Sequence, residues 1–368
     1  MAIAVSVMFI PRPWINPSLF QIGLLLLGIV WAIALAIHPR KLCLSLPMLP
    51  LAGAVLWGLL QLAAHWTSGR ADTRGAVLMW LGNLLAFALD AQVCASPHVR
   101  RQFLDALLYF AFALSIVSTM HLLPIGDPTS MGPFVNHDHY AAFIELVLPL
   151  ALVRALNGDP PAMRFSIISA ALFASAIAAA SRAGALLATA EIIVVPLALR
   201  AKTHLNRDKM RPAAIHVWLL AIVFVAVAGW AALWGRFQDP DPLSGRREIL
   251  SDTIGMIRAR PWTGFGLGTF RTVYPAYASV DFGAVVNHAH NDWAEWMADG
   301  GFPFGLLLLS IAIWSIPRAF RTVWGIGLLA VFIHATVDFP LQKPVLELWL
   351  FALLGALSSE SGATAGPY

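Results

Sequence analysis

Eleven apolar stretches punctuate the sequence, at 18–37, 44–64, 76–95, 103–123, 140–154, 164–181, 183–199, 213–235, 303–317, 323–338 and 344–358. A helix that crosses a bilayer needs about 20 mostly apolar residues, and in hydrocarbon its backbone groups must be satisfied within the helix itself. The stretches therefore predict an all-α polytopic membrane protein with about 11 (10–12) transmembrane helices. Composition agrees: only 12% of residues are charged, against about 25% in soluble domains. Met1–Ile10 is apolar but lacks the basic segment of a cleavable signal.

Basic residues give the orientation, because cytoplasmic loops retain Lys and Arg. Alternate short connections hold thirteen of them, including Arg40, Lys41, Arg100, Arg101, Arg318 and Arg321, and the opposite short loops hold only Arg70, Arg74 and Lys343. The first set is therefore assigned to the cytoplasm. This divides the chain into transmembrane helices over 1–235, an outer loop over 236–302, further transmembrane helices over 303–358 and a disordered cytoplasmic tail over 359–368. The long loop carries six Arg against eight acidic residues, so the net charge of +4 belongs to topology and no nucleic-acid partner is expected. Cys43 and Cys94 are the only cysteines and suggest no disulfide or metal framework.

Chemistry-bearing residues concentrate in the outer loop. Leu250, Thr253, Ile254 and Ile257 recur at helical spacing, predicting a short amphipathic helix that Arg246 and Arg247 would open. Guanidinium beside free N–H groups at a helix start suits a phosphate; the alternative is a pair of solvated arginines. Pro261–Gly268 reads as a flexible glycine-rich turn. Phe270, Tyr274, Tyr277 and Phe282 suit sugar stacking or interfacial anchoring. His288-x-His290 and His137-x-His139 suit either a metal or a general base, since imidazole accepts a proton near neutral pH. Arg182 interrupts an apolar run, and either faces a cavity or snorkels from a helix end. His334 and Asp338 are four apart and would share a helix face as a buried pair or a substrate contact.

Five motifs then fall into one order: Ser181-Arg182-Ala183-Gly184, Gly245-Arg246, Arg260-Pro261-Trp262-Thr263-Gly264-Phe265-Gly266, His290-Asn291 followed by Glu295, and Asp299-Gly300-Gly301-Phe302-Pro303. The set resembles the O-antigen ligase/polymerase superfamily (the Wzy-type C-terminal family). Gly132–Ala141 and Val337–Gln342 look like members associated with exopolysaccharide assembly. Asp138 and Ile249 depart from the pattern, standing where a second Asn and an aromatic residue are expected.

The resemblance implies a glycosyltransferase of the bacterial inner membrane, without metal or cofactor, whose loop faces the periplasm. Arg182 and Arg246 would hold the diphosphate of a polyprenyl-diphosphate-linked oligosaccharide, with Arg247 a second contact, and His290 would activate the acceptor hydroxyl. Asn291, Asn136, His139 and Asp338 would line the substrate site. The expected activity is polymerisation of lipid-linked repeats, with a flippase and chain-length or export proteins as partners. Ligation to a lipid A core or protein acceptor, and transport of the lipid-linked glycan, are the alternatives.

Overall fold

The computed structural model describes residues 16–37, 42–120, 131–158, 162–202, 207–241, 243 and 245–360. The tail expected to be disordered lies, from residue 361, outside them, as does Met1–Ile10. The helices are α1 (Asn16–Ile37), α2 (Met48–Ala63), α3 (Arg70–Val93), α4 (Pro97–Thr119), α5 (His137–Leu156), α6 (Ala162–Ala178) and α7 (Arg182–Lys202). They continue as α8 (Arg207–Ala228), α9 (Ala231–Phe237), α10 (Arg246–Ala259), α11 (Phe270–Val273), α12 (Asp292–Thr322), α13 (Ile326–His334) and α14 (Pro344–Ser359). Among the described residues there is no strand beyond an isolated bridge between Met131 and Phe134.

Each expected apolar stretch falls on a helix. Among the described residues, five helices are long and apolar enough to cross a membrane (α3, α4, α5, α7 and α12), and a sixth span results if α8 and α9 count as one. That pair bends by 86° at Gly229, whose φ is +94°, so the stretch 213–235 is a broken helix. At nine residues, α13 is only about 14 Å long, against about 30 Å of hydrocarbon. It also ends at His334, so Asp338 lies beyond it and the two do not share a helix face. The boundary expected at 302 falls within α12, at a kink where Gly301 is non-helical.

The chain folds as two compact units. One comprises residues 96–242 and 315–334. Its centre is α5, apolar on every face and buried over nearly its whole length, as a helix surrounded by other helices must be. Helices α4, α6, α7, α8 and α13 pack on it. Glu145 of α5 and His334 of α13 are fully buried and meet at 2.8 Å, so two otherwise costly polar groups satisfy each other.

The other unit comprises the described residues up to 95 together with 243–314 and 335 onward. Here α3 packs against α1, α2 and α14. Trp80 of α3 meets Trp296, Phe304 and Phe351 edge-on, with centroids 6.2, 5.3 and 5.8 Å away. The long loop has a core of its own, built from Ile249, Met256, Ile257, Phe265, Phe270, Tyr274 and Ala298 among others. The apolar face of α10 packs into that core through Ile249, Thr253, Met256 and Ile257, whereas Ile254 is exposed. The expected face is thus rotated by about one residue. Phe270 and Tyr274 belong to this core too, stacked at 5.2 Å, and burial with the Asp252 carboxylate nearby raises the Tyr274 phenol above its usual range. Tyr274 is thereby withdrawn into the core, whereas Phe270 also lines the cavity described below.

The glycine-rich turn is pinned. Phe265 N and Gly266 N donate to the Ala298 and Asp299 carbonyls, and Phe302 N donates to Pro261 O. Gln61 Nε2 donates to the carbonyls of Thr263 and Asp299 at 2.7 and 3.0 Å, and Gln61 Oε1 accepts from Leu267 N. Two of the sequence motifs, Arg260–Gly266 and Asp299–Pro303, are therefore the two halves of one packed junction. Gly264 sits in it at φ +62°, where a Cβ would lie 2.2 Å from Asp299 O. Gly264→Ala should cost at least about 1–2 kcal/mol from the left-handed backbone alone. Thermal unfolding of the purified variant, compared with wild type, reads this loss.

Candidate functional site

The segment 287–292 is stapled to residues 335–343, which bring Asp338 to it. Asp292 N donates to Ala335 O at 2.8 Å and Asp292 Oδ2 accepts from Leu341 N at 2.9 Å. Asn291 Nδ2 donates to Thr336 O at 2.7 Å, while its Oδ1 accepts from Ala294 N and so caps α12. Asn291 thus shapes the site through its local bonds. They leave His290 in the left-handed region at φ +51°, a conformation few non-glycine residues adopt without a structural reason.

His290 Nδ1 lies 3.1 Å from Asp338 Oδ1, with the carboxylate almost wholly buried and the imidazole partly exposed. A neutral imidazole in this geometry donates from Nδ1 and keeps its lone pair on Nε2. Asp338 Oδ2 is buried with no hydrogen-bond partner among the described residues. His288 forms a second pair of the same kind: its Nδ1 lies 3.0 Å from Glu295 Oε1, and Glu295 Oε2 accepts from Ala289 N at 2.7 Å. Phe339 separates the two imidazoles. It stacks on His288 at 4.5 Å and meets His290 edge-on at 4.8 Å.

Both histidines line a cavity of about 690 Å³, together with Arg246, Arg271, Asn287, Glu295, Phe339 and Lys343 among others. That volume lies in the usual range for small-molecule sites, about 300–1,000 Å³. Arg246 is the first residue of α10, and its Nη1 donates to Val337 O at 3.2 Å. The expectation of free backbone N–H groups there is corrected: those of Arg246 and Arg247 both donate to Leu243 O. The Arg246 guanidinium lines the cavity and offers donors to an anion there. Arg247 is exposed and is not among the residues lining the cavity. Lys343 Nζ lies 3.4 Å from His288 Nε2 and 4.8 Å from the Phe339 ring centroid. Burial pushes its ammonium below the ordinary lysine range, against the opposing pull of Glu295, Asp338 and Asp292.

The remaining residues belong to the other unit. Arg182 is the first residue of α7, at a helix end rather than within a span. Its Nη1 donates to Arg236 O at 3.3 Å and lies 4.0 Å from Asp239 Oδ2. The motif around it has a local logic: Ser181 Oγ accepts from Gly184 N as a helix cap, and at Gly184 a Cβ would come 2.4 Å from that of Ala141 on α5. Asn136 caps α5 by accepting from Asp138 N at 2.8 Å, and His139 is buried. Among the described residues no three His, Cys, Asp or Glu side chains converge in a metal-ligand arrangement.

Sequence reading placed His290, Arg246 and Asp338 at one site and missed Lys343 and Arg271. Lys343 directly follows the motif that ends at Gln342, and it entered the sequence reading only as a loop charge. The spacing suits His288 to a metal or to a general base, whereas both its nitrogens face protein partners.

The fold and the cavity define an all-α membrane protein with a folded, arginine- and histidine-lined loop between apolar helices. Residues 167–310 match the Wzy_C family model, described as O-Antigen ligase. The chain therefore carries an O-antigen ligase family domain, as its motifs implied, which indicates a function of the ligase/polymerase type. The matched segment includes Arg182, Arg246, Arg247, His290 and Asn291, and leaves Asn136, His139 and Asp338 outside. No curated protein matches the chain.

Proposed function

We propose that this protein is a membrane glycosyltransferase that polymerises polyprenyl-diphosphate-linked oligosaccharide repeats at the periplasmic face of the bacterial inner membrane. The observation that carries the reading is His290, paired with the buried Asp338, lining one cavity with Arg246. An acceptor hydroxyl gives its proton to His290 Nε2 while its oxygen forms a bond to the anomeric carbon of the donor sugar. The bond from that carbon to the diphosphate oxygen breaks, and the polyprenyl diphosphate leaves with the electron pair. Asp338 holds the imidazole in the tautomer that can accept and stabilises the imidazolium formed. Arg246 neutralises charge as it grows on the leaving group.

With guanidinium supplying positive charge, this reading needs no metal or cofactor. The family resemblance adds Arg182 and Arg247 as diphosphate contacts, and Asn136 and His139 as substrate residues. A flippase would supply the lipid-linked repeat on the outer face, and chain-length or export proteins would receive the polymer.

The family model's description favours a second reading, ligation of the finished glycan to a lipid A core or a protein. Purified protein given a lipid-linked repeat and no other acceptor separates them. A product ladder rising by whole repeats is the expected result. A single transfer appearing only when lipid A core is added identifies a ligase. No transfer to any acceptor, in wild type and His290→Ala alike, would overturn the enzymatic reading in favour of transport.

A further inference from the structure

We propose that Lys343 is an anchor for the phosphate oxygens of the ligand in this cavity, and that His288 and Glu295 are positioning residues that hold its ammonium in place. The inference deepens the proposed function and rests on its reading of the cavity as a diphosphate site.

The geometry assigns each atom a part. Glu295 is almost fully buried, and both its oxygens are engaged: Oε2 by the backbone of Ala289 and Oε1 by His288 Nδ1. A carboxylate at Nδ1 fixes the imidazole proton on that side. His288 Nε2 is then a lone pair, and Lys343 Nζ sits 3.4 Å from it. An ammonium has three N–H groups and no acceptor. One N–H faces His288, the Phe339 ring lies 4.8 Å from Nζ, and the residue lines the same cavity as Arg246, Arg271 and His290. Phe339 packs on both imidazoles, so Lys343, His288 and His290 share one rigid partner. A cation held this way loses little side-chain freedom when it meets an anion. Arg246 and Lys343 then offer two unlike donors, a planar fork and a point charge.

The test is calorimetric titration of the full chain, in zwitterionic-lipid nanodiscs, with inorganic pyrophosphate. Lys343→Gln should weaken binding about 10- to 100-fold, the worth of one charge-assisted hydrogen bond, and Lys343→Arg should retain most of it. His288→Leu should reproduce much of the Lys343→Gln loss, and His288→Gln, which keeps an acceptor near Nζ, should recover part of it. A structural role alone would not order the variants this way.

A pH series adds a second readout. The groups facing Lys343 are His288, His290, Glu295, Asp338 and Asp292. Because burial lowers the Lys343 ammonium, wild-type affinity should fall with rising pH below the ordinary lysine range of about 10.4. The Lys343→Arg variant should hold its affinity through the same range.

If Lys343→Gln binds pyrophosphate as wild type does while Arg246→Ala does not, the Lys343 assignment is overturned and the proposed function stands. If wild type fails to bind pyrophosphate, both fall together. If short-chain phosphatidylglycerol competes as well as pyrophosphate itself, the site takes a lipid headgroup phosphate, and the diphosphate reading on which the assignment rests is overturned.

Discussion

His290→Ala is expected to lower glycan transfer by about 10²–10⁴-fold, the usual worth of a positioned general base. The variant keeps the cavity and Arg246 but removes the acceptor for the hydroxyl proton. It also leaves Asp338, 1% exposed, without its imidazole partner, which adds a structural cost to the catalytic one. Asp338→Asn separates the two effects. It retains a side chain of the same shape, but its amide can donate to His290 Nδ1 and turn the imidazole proton to Nε2. Transfer should then fall steeply while thermal unfolding stays near wild type. Transfer within threefold of wild type in His290→Ala would remove this residue from the reaction.

Arg246→Ala should cost about 10²–10³-fold, with the loss in kcat and not mainly in KM. Negative charge on the bridging diphosphate oxygen grows as the bond to the sugar breaks, so a fixed cation binds the transition state more tightly than the substrate. Arg246→Lys should recover only part of the rate, because the fork geometry is lost. Steady-state kinetics on a lipid-linked repeat distinguishes the cases. A rise in KM with unchanged kcat would mean that Arg246 only holds the donor.

What the sequence revealed followed the periodicities of its physics. Apolar length placed a helix on every expected stretch, and motif order brought His290 and Arg246 to one cavity, with Asp338 buried behind the imidazole. The misses have equally physical causes. Nothing in the composition of 213–235 announces an 86° bend except Gly229. The phase of α10 slipped because its buried face is set by the loop's own core, in which Thr253 and Asp252 are also buried. Helix continuity from His334 to Asp338 was inferred from apolar residues, yet His334 turns to Glu145 of α5 and the helix stops there. Asn291 and Asn136 have a local role the motifs did not disclose, since the side-chain oxygen of each caps a helix. Lys343 was hidden by its own chemistry, since a lone lysine in a short loop carries no pattern.

The tie between Asp292 N and Ala335 O also has a meaning for biosynthesis. His290 and Asp338 meet only because the chain departs at Asp292, runs through α12 and α13, and returns at Ala335. Translation delivers the histidine first and the aspartate much later. Until α12 and α13 have formed and Ala335 has come back to Asp292, the dyad does not exist, and closing a loop of this length carries an entropy cost that the neighbouring hydrogen bonds must offset. On the proposed mechanism, a nascent chain halted before Ala335 therefore lacks its general base's partner and transfers no glycan.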